Sequence, residues 1–176
     1  PHIWFDLALW QEAVENMGNR LATLHPENAD YYQQNTEAYA KELLSLHQWT
    51  QKQISSIPEA QRVLITAHDA FSYFGKAYNI EVRGLQGIST LSEFGLKDVS
   101  TLVSFISDRG IKAVFVESSV PTRSLEAVVS GVQERGHEVS IGGTLYSDAL
   151  GAPESDAGTF IGTVRSNVNT IVSSLK

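Results

Sequence analysis

Cysteine is absent from the 176-residue chain, and its absence excludes several kinds of chemistry. A disulfide framework, a thiolate metal site and a cysteine nucleophile all require the thiol group. Many compartments accept such a chain, including an oxidising one. Nitrogen and oxygen ligands remain available for a metal site.

Basic residues are also few, with 13 lysines and arginines against 20 aspartates and glutamates and a formal net charge of −7. Nucleic-acid binding requires a basic surface that displaces counterions, so nucleic acid is not a predicted partner. No apolar run reaches the roughly 18 residues of a membrane helix, so we predict no membrane span in this chain.

Short cofactor and metal motifs are missing as well. The chain contains neither G-x-G-x-x-G nor G-x-x-x-x-G-K-[ST], so a dinucleotide site and a P-loop lack their glycine spacing. H-E-x-x-H does not occur either. The chain starts at Pro1 with the dense motif "PHIWFD", without a preceding methionine. This start predicts that the chain is a fragment whose beginning is missing, together with any targeting signal.

Two helical segments come first. Apolar residues recur at three- and four-residue steps from Asp6 to Leu24, with Asp6 as the predicted N-cap. A second periodic segment covers residues 28–56 and would be roughly 40 Å long. A helix of that length predicts a connection between two lobes. We therefore divide the chain into a remnant of an N-terminal lobe (1–27), a long connecting helix (28–57) and a C-terminal α/β lobe (58–176).

Short β-branched strands alternate with helical patterns after Pro58. The strands are "RVLITA" (62–67), "IEVRG" (80–84), "KAVFVE" (112–117) and "EVSIGG" (138–143). The helical patterns cover residues 71–78, 96–109, 123–135 and 159–175. This alternation predicts an α/β fold, with a parallel four-stranded sheet and helices on both of its faces.

Polar side chains follow three of these strands, at the edge where open α/β sheets bind ligands. His68 and Glu117 end the first and third strands, and Asp148 follows the fourth. His2, before the first helix, is a fourth candidate. Imidazoles and carboxylates together suit a borderline divalent ion such as zinc, manganese or iron.

The stretches "PHIWFD", "LITAHDAFSYFGKAYNIEVRGLQGIST", "AVFVESSVP" and "IGGTLYSDALG" are similar to the successive signature stretches of one family. They resemble the TroA-like metal-binding receptors, the solute-binding proteins of ABC importers for manganese, zinc or iron. The resemblance covers almost the whole chain in order. It implies two α/β lobes joined by one long helix, with the metal held between the lobes.

The resemblance also implies the ligands, residue by residue. His2 matches the histidine of the D-P-H-x-W motif, whose aspartate would precede this chain. His68 matches the ligand of the second-lobe strand–helix motif, and Asp148 matches the aspartate of the S-D-A/S motif. A fourth ligand, a histidine, would come from the first lobe. Glu117 is expected beside the ligands, orienting His68 or lining the site.

The function that this resemblance implies is high-affinity extracytoplasmic capture of Mn²⁺ or Zn²⁺, or of Fe²⁺, and delivery to an ABC permease. It implies a periplasmic or lipid-anchored extracellular protein, a monomer, without enzymatic activity. The Irving–Williams order favours zinc over manganese in raw affinity.

Other interpretations stay open at this point. His68 could be a hydrogen-bonded structural residue, His2 a cap and Asp148 a turn former. Ser118 and Ser119, with His68 and Asp69 nearby, could suggest a serine hydrolase, but "VESSV" lacks the G-x-S-x-G elbow of a serine nucleophile. A metal-dependent hydrolase could use the same histidines and aspartate, but four protein ligands would close the coordination position that its water needs. An adhesin is a third interpretation.

The other three histidines are predicted to be solvent-facing: His25, His47 and His137.

Overall fold

The computed structural model describes residues 1–89 and 94–176. These residues form six α-helices and four β-strands. The helices are α1 Leu7–Leu24, α2 Ala29–Ser55, α3 Ser72–Tyr78, α4 Leu96–Arg109, α5 Arg123–Glu134 and α6 Phe160–Leu175. The strands are β1 Val63–His68, β2 Glu81–Gln86, β3 Ala113–Glu117 and β4 Ser140–Leu145. All the predicted elements are present, although β4 begins and ends two residues later than "EVSIGG".

The four strands form one parallel sheet in the order β2-β1-β3-β4. Successive residues of a strand point to opposite faces, and each face has its own hydrophobic cluster. Leu64 packs in a cluster with residues of α2, α3 and α6. Val63 and Ile65 pack in another with residues of α4 and α5. The predicted α/β class, with helices on both faces of the sheet, is confirmed.

The two central strands are buried along their whole length. All six residues of β1 and all five of β3 are buried. Such burial explains why both strands read as nearly continuous apolar runs rather than as alternating ones. The polar residues that end them, His68 and Glu117, are therefore carried into the interior by their strands.

The strand β4 contains one irregularity before it reaches the carboxyl edge of the sheet. The pairing with β3 shifts by one residue between Val114 and Phe115, so that Phe115 pairs with Gly143. Gly143 has φ of 149°, and a Cβ there would lie 2.5 Å from Thr170 of α6. Glycine at this position therefore allows both the backbone conformation and the close approach of α6.

The N-terminal segment is fixed against the sheet-bearing part of the chain. The Asp6 carboxylate accepts hydrogen bonds from the backbone N–H groups of Ala8 and Leu9, which confirms it as the N-cap of α1. One 3-10 turn, Ile3–Phe5, precedes this cap. The ring of Phe5 stacks on Phe71 with centroids 4.5 Å apart, so the turn is held beside the start of α3.

The helix α2 is 27 residues long and packs against both α1 and α6. Its buried residues Leu43, Leu46 and Ile54 join the same hydrophobic cluster as Phe5. The division into residues 1–27, 28–57 and 58–176 stays a prediction. Within the described ranges, no helix has both the length and the hydropathy that crossing a membrane requires.

Candidate metal centre

Three side chains that are far apart in the sequence meet at the carboxyl edge of the sheet. His2, His68 and Asp148 each offer one ligand atom, and these atoms all lie within 4.8 Å of one another. Nε2 of His2 lies 3.0 Å from Oδ1 of Asp148, and Nε2 of His68 lies 3.2 Å from Oδ2. The two imidazole rings are 5.3 Å apart and nearly perpendicular. One carboxylate thus lies between two imidazoles.

Each of the three residues reaches this place through a different local structure. His68 is the last residue of β1, and Asp148 lies three residues beyond the end of β4. His2 has a left-handed backbone, with φ of 63°, just before the 3-10 turn. This conformation is uncommon for a residue with a Cβ. It turns the chain so that a buried imidazole, 6% exposed, faces the sheet edge.

Glu117 lies beside Nδ1 of His68, as predicted for a residue that orients this histidine. Its Oε2 lies 2.7 Å from Nδ1 of His68, and its Oε1 accepts the backbone N–H of His68 at 2.8 Å. Both side chains are buried. With Nδ1 held by the carboxylate, Nε2 is the nitrogen that faces Asp148. This carboxylate–histidine arrangement is the one that orients many metal-bound imidazoles.

The charges around His68 also change its protonation. Burial lowers the pKa of His68, but the hydrogen bond with Glu117 and the negative charges of Glu117, Asp148 and Asp69 raise it by more. The net result is a pKa above the ordinary value for histidine. The same carboxylates that stabilise an imidazolium here would also attract a divalent cation.

Two serine hydroxyls lie close to one carboxylate oxygen of Asp148. The hydroxyl oxygens of Ser119 and Ser147 lie 2.8 Å apart, and each lies 3.3 Å from Oδ2 of Asp148. From the sequence, Ser119 was a candidate only as a nucleophile, and Ser147 was not a candidate. No spacing in the sequence points to this contact, because the two serines are 28 residues apart.

An apolar cavity of about 260 Å³ opens beside Asp148. Its wall includes Trp4, Trp10 and Phe160. The ring of Trp10 lies 5.9 Å from that of Phe160, and the ring of Trp4 lies edge-on to that of His2 at 5.3 Å.

Of the three remaining histidines, two differ from the prediction that they are solvent-facing. His47 is partly buried, with Nδ1 3.0 Å from the hydroxyl of Tyr78, and His137 is partly buried, with Nε2 3.0 Å from the carbonyl oxygen of Ile111. A polar partner inside the fold explains both, because imidazole packs well when one nitrogen is hydrogen-bonded. His25 is exposed as predicted.

The chemistry of the cluster suits a divalent transition metal. Two imidazole nitrogens and a carboxylate form a mixed nitrogen and oxygen donor set, which zinc, manganese and iron accept. Three protein ligands leave at least one coordination position for a further donor. Fold and cluster together therefore define an α/β ligand-binding domain with a candidate site for a divalent metal at the sheet edge.

Comparisons with known proteins agree with this class. Residues 1–174 match the profile of the family described as "Zinc-uptake complex component A periplasmic". The chain is 49% identical, over all of its 176 residues, to the manganese-binding lipoprotein MntA of Bacillus subtilis. It is 44% identical, over 175 residues, to the zinc-binding protein TroA of Treponema pallidum. The chain belongs to this family of metal-binding substrate-binding proteins, and its resemblance to the TroA-like receptors is confirmed.

The structural comparison gives the same result. The structure of the periplasmic zinc-binding protein TroA from Treponema pallidum superposes with a TM-score of 0.96 and covers 99% of this chain. The chain covers 63% of that structure, and 58% and 57% of the lengths of the Bacillus and Treponema relatives. The matched proteins are therefore considerably longer than this chain.

Proposed function

We propose that this chain is part of a receptor that captures a divalent transition metal, Mn²⁺ or Zn²⁺, outside the cytoplasm and delivers it to an ABC permease. The observation that carries the proposal is the convergence of His2, His68 and Asp148 on one point at the sheet edge. The names of two relatives support it, because one is a manganese-binding and the other a zinc-binding protein. Fe²⁺ has the same borderline character and belongs in the test.

In this proposal His2, His68 and Asp148 bind the metal directly, and Glu117 holds His68 with Nε2 toward it. The ion is the cargo of the protein, which binds and releases it without making or breaking a covalent bond. The hydrolase alternative gains no support from the relatives, which are named as metal-binding proteins.

The proposal extends to the rest of the protein. The names of the relatives include lipoproteins and a periplasmic protein, which supports a periplasmic or lipid-anchored extracellular location. The division into an N-terminal lobe remnant, a connecting helix and a C-terminal lobe agrees with the long α2 and with the greater length of the relatives. A monomer is the proposed state, with the permease as partner.

Calorimetric titration of the chain with Mn²⁺ and with Zn²⁺ tests the proposed site. We expect one saturable ion per chain, with tighter binding of zinc. His68→Ala should abolish this binding, because it removes the most deeply buried of the three proposed ligands. His25→Ala, at an exposed histidine outside the cluster, is the control and should bind like the parent chain. Unchanged binding by His68→Ala would show that the site is wrongly assigned.

A further inference from the structure

The candidate metal site contains two hydroxyl groups to which the proposed function assigns no role. Ser119 lies two residues beyond the end of β3, and Ser147 directly precedes Asp148. Ser147 is buried, with 4% exposure, whereas Ser119 is exposed. The loops that follow two neighbouring strands thus bring one hydroxyl each to the same carboxylate oxygen.

Three contacts compete for two hydroxyl protons. The two serine oxygens are 2.8 Å apart, which is a normal hydrogen-bond length, and each is 3.3 Å from Oδ2 of Asp148. Each hydroxyl has one proton to donate. One proton is used between the serines, so one remains for the carboxylate. Either Ser119 donates to Ser147, which donates to Oδ2, or the two serines exchange these roles.

The carboxylate therefore keeps one hydrogen bond in both arrangements. Its other contacts are to the imidazoles, with Oδ1 beside His2 and Oδ2 beside His68. The side chain of Asp148 is 35% exposed, so packing alone does not hold it. A hydrogen bond at Oδ2 fixes the plane of the carboxylate before an ion arrives, and this ordering lowers the entropy cost of binding.

We propose that Ser119 and Ser147 form a positioning pair that holds the Asp148 carboxylate in its metal-binding orientation. The inference rests on the proposed function, since it assigns Asp148 as a ligand. The pair does not touch the ion in this proposal. It acts by keeping one donated hydrogen bond on Oδ2, which either serine is able to supply.

Because either serine is able to supply the hydrogen bond to Oδ2, single and double variants should differ in their metal affinity. Ser119→Ala and Ser147→Ala each leave one hydroxyl, whose proton is then free to donate to Oδ2. Each variant loses one of two arrangements, so we expect affinity for Zn²⁺ and Mn²⁺ to fall about two-fold. The double variant leaves no hydroxyl beside Oδ2, and its affinity should fall by about ten-fold or more, because the carboxylate loses the serine hydrogen bond altogether. If the two substitutions acted independently, the double variant would lose only the product of the two single effects, about four-fold in affinity.

Two controls separate positioning from a general effect on folding. Ser118→Ala removes the neighbouring exposed hydroxyl, for which the described part of the chain shows no hydrogen bond, and it should bind like the parent chain. Ser119→Thr combined with Ser147→Ala restores one hydroxyl and should return the affinity to that of a single variant. The thermal unfolding midpoint of each metal-free variant should stay close to that of the parent chain.

The outcomes distinguish this inference from the proposed function. A double variant that binds within about four-fold of the parent chain overturns the positioning pair and leaves the proposed function standing. A double variant that Ser119→Thr does not rescue also overturns it. A parent chain that binds neither ion overturns the proposed function, and the inference with it.

Discussion

At the scale of single residues, the candidate site depends on a buried carboxylate that contacts His68 at Nδ1, on the side of the ring opposite to Asp148. Glu117 is 2% exposed and contacts His68 twice, once at the imidazole and once at the backbone. These two contacts fix both the direction of the ring and the nitrogen that carries the proton. A ligand held in this way loses little freedom when it binds a metal.

We expect Glu117→Gln to weaken the binding of Zn²⁺ or Mn²⁺ by about 10- to 100-fold. Glutamine is nearly the same size and keeps an oxygen that accepts the backbone N–H of His68. It removes the negative charge beside Nδ1, so the ring is less firmly oriented and less basic. Calorimetric titration of the variant measures the loss.

Glu134→Gln is the matched control for this change, because Glu134 is exposed at the end of α5, which leads to the start of β4 and not to the carboxyl edge where the cluster lies. It should bind like the parent chain. If Glu117→Gln bound with unchanged affinity, the carboxylate would have no part in orienting His68.

At the scale of elements, the end of β1 is placed by its close contact with β2. Gly84 of β2 pairs with Thr66, two residues before His68. A Cβ at Gly84 would lie 2.6 Å from the backbone nitrogen of Asp69 and 2.7 Å from the carbonyl carbon of His68. These are backbone atoms, which move only with the strand end itself. Glycine in β2 therefore sets the position of His68.

Gly84→Ala should both destabilise the fold and weaken metal binding. The added methyl group forces the backbone at His68 and Asp69 to shift, and overpacking of this kind costs about 1–3 kcal/mol. Urea unfolding of the metal-free variant measures the first effect, and calorimetric titration measures the second.

Gly95→Ala is a comparison without overpacking, because a Cβ there would meet, among the described residues, the carboxylate of Asp98 alone, at 3.8 Å. Gly95 is the N-cap of α4, where alanine is less favourable than glycine and costs about 1 kcal/mol. This variant should therefore lose some stability but keep the metal affinity of the parent chain. Equal midpoints for Gly84→Ala and the parent chain would show that the backbone at the end of β1 shifts without a loss of stability.

At the scale of the whole molecule, the sheet and its ligand edge could be predicted because they depend on patterns within short segments. Parallel strands end at one edge, so His68, Glu117 and Asp148 were expected near each other. The place of His2 depends on a left-handed residue and on the stacking of Phe5 on Phe71, which no periodicity reveals. His2 was a candidate ligand before the family resemblance was considered, but its place beside His68 and Asp148 was implied by the resemblance.

Metal binding should stabilise the whole chain, because the proposed ligands join the N-terminal turn to the ends of β1 and β4. At an ion concentration 100 times the dissociation constant, linkage adds about 2.7 kcal/mol to the free energy of unfolding. For a chain of this size this corresponds to a rise of about 5–10 °C in the unfolding midpoint. Differential scanning calorimetry with Zn²⁺, and then with a chelator in excess, measures the rise and its reversal.

Mg²⁺, which prefers oxygen ligands, should leave the midpoint unchanged. His2→Ala should lose most of the zinc-dependent rise, since it removes the only proposed ligand on the N-terminal turn. A full rise in that variant would mean that the ion is held by the sheet edge alone.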